Sequence, residues 1–305
     1  MTRLSLRALL ALSLVATTPV LAQNDIIGCA DLNCPVDDRS VSNECNVVDR
    51  SFINVGAVKV PAAEGFPQGL SWVQGFRVIP MPPNRTYESS FYLGTPPQAN
   101  FSMPGCAVLF TEFQAAKRSE RAADGTCGAF MSSKCSDALL KRAKAVKASN
   151  STDKVCRKLQ QDLEENLDED CRPYVGTSDR WQNVTVKAIT GTGSEAPKPI
   201  SSSQNSTSNC WPVPDKSSDL TLYETVGLFG DIMAGTIMKA ADDVTPIITV
   251  FYPQGKDAQA QITCLKIKDE STKSRQTQGK SGTGSHVPGS LLAIVALAIS
   301  AFMML

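Results

Sequence analysis

Histidine is almost absent from this sequence, which has a single one, His286, among 305 residues. His286 lies near the carboxyl terminus, in a segment that we expect to be removed from the mature protein. Its removal excludes a Ser-His-Asp or Cys-His nucleophile and a histidine-bound catalytic metal. The sequence also lacks G-x-S-x-G, H-E-x-x-H, P-loop and dinucleotide-binding motifs. We therefore predict no catalytic residue and no cofactor.

The chain also has no net basic charge, because 30 Lys and Arg residues balance 30 Asp and Glu residues. The chain thus has no electrostatic footprint for nucleic acid. Zinc-type cysteine clusters are missing as well, since the closest pair, Cys29 and Cys34, is wider than C-x-x-C. No metal site and no internal repeat are predicted.

Neither end has an apolar run of the roughly 20 residues needed to span a membrane. At the amino terminus, Arg3 and Arg7 precede a short apolar stretch, and Val20 and Ala22 supply small residues before a cleavage point. This pattern predicts a signal peptide over residues 1–22. The alternative is an uncleaved anchor, for which the apolar stretch is too short.

The carboxyl terminus combines small residues, a polar spacer and a short apolar tail from Leu291 to Leu305. These are the three parts of a glycosylphosphatidylinositol (GPI) attachment signal, in which a lipid replaces the tail. We expect attachment at Ser281, with Gly279 and Gly282 as competitors, and removal of residues 282–305. The alternative is a tail anchor that persists.

The sequence has 10 cysteines, an even number. In a chain that enters the secretory pathway, this predicts five disulfides, whose pairing the spacing does not fix. The same pathway makes the N-x-[ST] sequons plausible glycan acceptors that lie on the surface. The cysteines are Cys29, Cys34, Cys45, Cys106, Cys127, Cys135, Cys156, Cys171, Cys210 and Cys264, and the sequons are at Asn84, Asn100, Asn150, Asn183 and Asn205.

Short alternating or apolar segments predict β-strands at residues 70–79, 86–94, 106–113, 181–189, 246–252 and 260–267. The central segment 106–113 is apolar on both faces, as in a covered strand. Val184 and Val186 share one face of their strand, which leaves Asn183 on the solvent side. The last two strands flank a Gly-containing loop and predict a hairpin.

Between these strands, apolar residues at helical spacing predict two helices that form a hairpin insert, at about 132–170. In such a hairpin the start of the first helix lies beside the end of the second. We therefore expect a disulfide from Cys171 to Cys135 or to Cys127. The predicted fold is a disulfide-bonded antiparallel β-sandwich with this insert. It occupies residues 23–267, with a polar surface loop at about 191–219 and a disordered stalk over 268–281.

Two features are candidates for chemistry. The acidic run "DLEENLDED" could supply the carboxylate pair of a glycoside hydrolase, but a solvated helix face explains it better. Aromatic side chains could stack on sugar rings, and Trp72, Tyr92, Trp181 and Trp211 are candidates. Trp211, inside a polar loop, is the preferred glycan contact.

The leader, the cysteines, the sequons and the "SGTGS" ending with its apolar tail resemble GPI-anchored surface proteins of filamentous fungi. The resemblance covers the two ends only. It implies a location on the outer face of the plasma membrane or, after transfer, in the cell wall. We expect a non-enzymatic surface glycoprotein that acts in wall structure, adhesion or glycan binding, with the membrane lipid and wall glycans as partners. The alternatives are a carboxylate-dependent carbohydrate enzyme of the wall and a protein-binding module.

Overall fold

The computed structural model describes residues 29, 45–81, 84–97, 99, 101, 103–115, 125–149, 151–191, 197–201, 204–205, 208–213, 218–230 and 243–267. The predicted signal peptide, stalk and GPI-attachment segment lie outside these residues. Within the described ranges, no helix is both long enough and apolar enough to cross a lipid bilayer.

The fold is mainly β, as the sequence predicts, and its strands form two four-stranded antiparallel sheets and a small hairpin. The first sheet has the order β3-β4-β5-β8 and the second has the order β10-β9-β6-β7. The strands are β1 (Cys45–Val47), β2 (Arg50–Phe52), β3 (Asn54–Lys59), β4 (Ser71–Met81), β5 (Asn84–Thr95), β6 (Gly105–Phe110), β7 (Val184–Ala188), β8 (Asp219–Gly230), β9 (Val244–Phe251) and β10 (Gln259–Lys266).

The second sheet is the middle layer of the molecule, which explains why its central strands are apolar on both faces. Every residue of β6 and β9 is buried. On β6, Leu109 packs in a cluster with the first sheet, whereas Val108 packs in a cluster with the helices. Between the sheets, the indole nitrogen of Trp72 donates a hydrogen bond to the Thr249 hydroxyl, 2.9 Å away. The prediction of a covered strand at 106–113 is confirmed over 106–110, and the strand ends at Phe110.

The helical hairpin covers the outer face of this middle layer. Its helices are α1 (Ser133–Ala145) and α2 (Thr152–Glu165), and a 3-10 helix, Glu169–Tyr174, follows them. Each α-helix begins at a serine N-cap whose hydroxyl accepts a backbone N–H bond, as such caps commonly do. The apolar faces predicted from the spacing are buried, through Leu139 on α1 and Leu159 on α2.

Disulfides connect the layers covalently. Cys135 is bonded to Cys171, which confirms one of the two pairings expected from the hairpin. The others join Cys106 of β6 to Cys156 of α2, Cys127 to Cys264 of β10, and Cys29 to Cys210. Cys45 is also disulfide-bonded. Bridges of this number favour an oxidising compartment.

The predicted polar surface loop at 191–219 is wrong toward its carboxyl end. Cys210, Trp211 and Val213 are buried. They pack with the β1–β2 hairpin against the outer face of the first sheet, and the disulfide to Cys29 holds them there. The β8 strand that follows was not among the predicted strands, nor were β1, β2 and β3.

Candidate functional site

A cleft of about 690 Å³ lies on one flank of the sandwich. One edge strand of each sheet lines it: β8 of the first sheet and β7 of the second. One turn of α2 and the segment 197–200 complete its walls. We call this feature the flank cleft. Its volume falls in the range of about 300–1,000 Å³ that is usual for ligand sites.

The floor of the flank cleft is apolar and rigid. It is held in part by the disulfide between β6 and α2, because Cys156 is one of the floor residues. The floor is formed by Leu93, Cys156, Val186, Ile189 and Tyr223, all of them buried.

Tyr223 connects the two sheets beneath the cleft. Its hydroxyl donates a hydrogen bond to the carbonyl of Ala107, 2.5 Å away, and accepts one from the backbone N–H of Lys187, 2.7 Å away. Burial raises the pKa of the Tyr223 hydroxyl above its usual range. The phenol is therefore a neutral structural bridge between the first sheet and the Ala107–Lys187 pair of the second sheet.

A β-bulge in β8 positions Tyr223. Leu222 lies opposite Tyr92 of β5 and Glu224 lies opposite Phe91, so Tyr223 is an extra residue between two paired positions. Such a bulge changes the direction of neighbouring side chains. Tyr223 is buried, whereas Leu222 is 46% exposed and is the one large exposed apolar side chain among the described residues.

The rim of the flank cleft is charged, mostly with cations. Arg157 of α2, Lys187 of β7 and Lys198 line it, together with one carboxylate, Asp153. Lys187 is neutralised by Glu224, because their charged atoms lie 2.6 Å apart. Within the described part of the chain, Arg157 and Lys198 make no ion pair. The rim therefore presents two uncompensated cations and one carboxylate to a ligand.

The predicted aromatic contacts with glycans are not available. Trp72, Tyr92, Trp181 and Trp211 are all buried. Trp211, the preferred candidate, has no exposed surface, and its indole nitrogen donates a hydrogen bond to the Ser218 carbonyl at 2.8 Å. The prediction that Trp211 stacks on a sugar ring is therefore wrong. A polar neighbourhood in sequence does not make Trp211 exposed, because the disulfide at the adjacent Cys210 holds this segment against the first sheet.

No aromatic ring that the structure describes is exposed. Phe101 alone is not fully buried, and it packs against Phe251 with 5.5 Å between ring centroids. Sugar recognition by ring stacking thus has no platform on the described surface.

The acidic run is partly used to hold the helices together. The Arg142 guanidinium of α1 contacts Asp168 through two nitrogens, at 2.9 and 3.1 Å, and Asp162 through a third, at 3.2 Å. The hydrogen bond to Asp168 is the main cause of the raised pKa of Arg142. Asp162 and Asp168 are therefore partners of a structural cation, and neither lines the flank cleft.

The sequons differ in accessibility. Asn183 is exposed immediately before β7, on the solvent side that the alternation predicts. Asn205 is buried, with its amide nitrogen 2.5 Å from the Ser208 hydroxyl, which contradicts the prediction of a surface position. Asn84 is the first residue of β5. Asn100 and Asn150 lie outside the described residues.

Across the described ranges, no three His, Cys, Asp or Glu residues are grouped so that they could hold an ion. Comparison with family models, with curated proteins and with solved structures finds no match for this chain.

Proposed function

We propose that this chain is a non-enzymatic extracellular surface protein that is held by a GPI lipid and acts in adhesion, by binding a ligand in the flank cleft. The disulfides between layers support an extracellular location, because such bonds persist in oxidising compartments. The terminal sequence patterns support anchoring, with Ser281 as the attachment residue and Gly279 or Gly282 as alternatives.

The flank cleft carries the adhesive part of the proposal. It combines an apolar floor with uncompensated cations at Arg157 and Lys198. A cationic side chain that forms no ion pair within the protein can bind an anionic ligand. The disulfide from β6 to α2 and the Tyr223 bridge fix the walls of the cleft. The protein therefore loses little conformational entropy when a ligand binds.

The cleft supports binding better than carbohydrate hydrolysis, which was the alternative from the sequence. Glycoside hydrolysis uses two carboxyl groups about 5–9.5 Å apart across the scissile bond. Asp153 is the one carboxylate that lines the cleft, and it is exposed. The neighbouring Glu224 forms an ion pair with Lys187.

An adhesion assay tests the role of the flank cleft. Cells that display the full chain would be compared with cells that display Arg157→Glu combined with Lys198→Glu. We expect the double variant to lower adhesion to the level of cells without the protein. The matched control is Lys134→Glu with Lys256→Glu, which makes the same charge change at exposed positions outside the cleft. Equal adhesion of both double variants and the native chain would contradict the proposal.

The anchor is tested separately. Phosphatidylinositol-specific phospholipase C should release the native protein from cells, and mass spectrometry of the released form should locate the lipid remnant at or beside Ser281. Recovery of surface protein that still ends in Met304 and Leu305, and that resists the phospholipase, would refute GPI attachment.

A further inference from the structure

We infer that the ligand of the flank cleft is an amphipathic anion, whose hydrocarbon chain covers the apolar floor and whose single carboxylate binds the cationic rim. This inference rests on the proposed function and specifies the chemistry of the ligand: the cell adheres to surfaces that display long-chain carboxylates. Three observations support it: the scarcity of free polar side chains in the lining, the exposed Leu222, and the net charge of the rim.

The floor of the flank cleft offers a ligand almost no hydrogen-bonding side chain. Three of its five residues are aliphatic, and Cys156 is in a disulfide. The hydroxyl of Tyr223 is already bonded to the backbone of both β6 and β7. The lining has one other hydroxyl, that of Thr221, and no side-chain amide.

This set of side chains is too small for a ligand that is polar along its whole length. A sugar ring or a peptide backbone carries hydrogen-bonding groups throughout. Such groups would lose their bonds to water on the floor and find few side chains to replace them, which costs free energy. The part of the ligand that covers the floor is therefore hydrocarbon.

Leu222 adds an exposed apolar contact beside the floor. Its side chain is 46% exposed, and it lines the cleft together with Pro197 and Ile200, which are partly buried. A hydrocarbon chain that covers these side chains removes their remaining apolar surface from water, which favours binding. A small anion without a chain would leave this surface exposed.

The rim has one positive charge in excess, which matches a single carboxylate. Three cations, Arg157, Lys187 and Lys198, line the cleft, and the nearby carboxylates are Asp153 in the lining and Glu224. Because Lys187 and Glu224 are paired with each other, the head group meets Arg157 and Lys198. A guanidinium can hold a carboxylate through two parallel hydrogen bonds.

A photoreactive fatty carboxylate tests where the ligand binds. Cells that display the full chain are irradiated with a dodecanoate that carries a diazirine in its chain, and mass spectrometry then locates the labelled peptides. We expect label on the peptides that contain Val186 or Leu222, and excess dodecanoate should prevent it. Absence of label from both peptides, or label that excess dodecanoate does not reduce, would overturn the inference.

Two competitors separate the chain from the head group without altering the protein. Dodecan-1-ol has the chain without the charge, and butanoate has the charge with a much shorter chain. Each should need at least a tenfold higher concentration than dodecanoate to halve the labelling, because neither engages both the floor and the rim. If either competitor is as effective as dodecanoate, the ligand is not an amphipathic anion.

Protein variants test the same two parts of the cleft. Labelling should fall at least tenfold in the Arg157→Glu, Lys198→Glu double variant. It should stay unchanged in the Lys134→Glu, Lys256→Glu control. Leu222→Glu should also lower labelling at least tenfold, whereas Leu222→Met keeps the apolar surface and should be labelled as the native chain is. Urea unfolding shows whether each variant remains folded, and equal labelling of folded Leu222→Glu and Leu222→Met would refute the inference.

The adhesion assay distinguishes failure of this inference from failure of the proposed function. If the Arg157→Glu, Lys198→Glu variant loses adhesion but the fatty carboxylate does not label the native cleft, this inference is wrong and the proposed function stands. Inhibition of adhesion by an acidic oligosaccharide, oligogalacturonate, would then identify the cleft as a glycan site. If the cleft is not labelled and the variant keeps full adhesion, both are wrong.

Discussion

Tyr252 allows a sharp test of the packing between the middle sheet and the helical layer. It follows β9, is fully buried, and donates a hydrogen bond from its hydroxyl to the carbonyl of Ala143 at 2.9 Å. Ala143 lies in the last turn of α1, where carbonyls have no partner within the helix. Replacing Tyr252 by phenylalanine should leave that carbonyl unpaired, and we expect a loss of about 1–3 kcal/mol in unfolding free energy.

The same substitution should have an unusual dependence on pH. Burial raises the pKa of Tyr252 in the folded protein, whereas the unfolded chain has a value of about 10. A raised folded pKa stabilises the native protein below the unfolded pKa, and this contribution is lost as pH rises above it. The native chain should therefore lose stability above pH 10 faster than Tyr252→Phe does. Between pH 8 and pH 11 the difference between them should shrink by about 1.4 kcal/mol.

Urea unfolding, followed by circular dichroism at pH 8 and pH 11, measures both effects. Phe66→Leu is a suitable control, because Phe66 is buried and packs on Phe251, and neither ring ionises. Its cost should be the same at both pH values. If the cost of Tyr252→Phe is also the same at both, the hydroxyl is not shielded from water, and the packing described for this contact is incorrect.

Three further predictions concern other parts of the fold. Gly75→Ala should destabilise the protein by about 1–3 kcal/mol, because a Cβ there would lie 2.6 Å from a phenyl ring of β2. Gly128→Ala is the control: nothing surrounds that position, so its thermal unfolding should be nearly unchanged. Replacing both cysteines of the β6–α2 disulfide by alanine should cost about 4 kcal/mol, from a sequence separation of 50, and an unchanged denaturation midpoint would contradict this. Enzymatic deglycosylation should show a glycan on Asn183 and none on Asn205, because only the first is exposed; a glycan on Asn205 would mean that its segment is not buried as described.

Much of the fold was predictable from local patterns. Two strands were predicted correctly, from the alternation of Val184 and Val186 and from the uniformly apolar β6. This works because the side-chain pattern of a single strand shows which of its faces are buried. The pairing of Cys135 with Cys171 was predictable, as one of two choices, because both residues lie at the ends of one hairpin. Local spacing is sufficient where the partners are close in sequence.

The site was not predictable in the same way. Arg157, Lys187 and Lys198 come from three separate segments, and each is unremarkable in its own sequence context. The bulge in β8 also weakens the usual signal, because the extra residue Tyr223 shifts the alternation of side chains between the two halves of the strand. Only the pairing of distant strands reveals which cations lack partners.

The bond between Cys127 and Cys264 has a mechanical consequence. Cys264 lies within β10, close to Ile267, the last residue described. If the chain is tethered at its carboxyl end, as proposed, a pulling force enters through β10. The disulfide passes that load to Cys127 covalently, so most of β10 cannot be peeled from β9 by breaking hydrogen bonds one at a time. The flank cleft, at the opposite edge of this sheet, can therefore keep its shape while the protein is under tension.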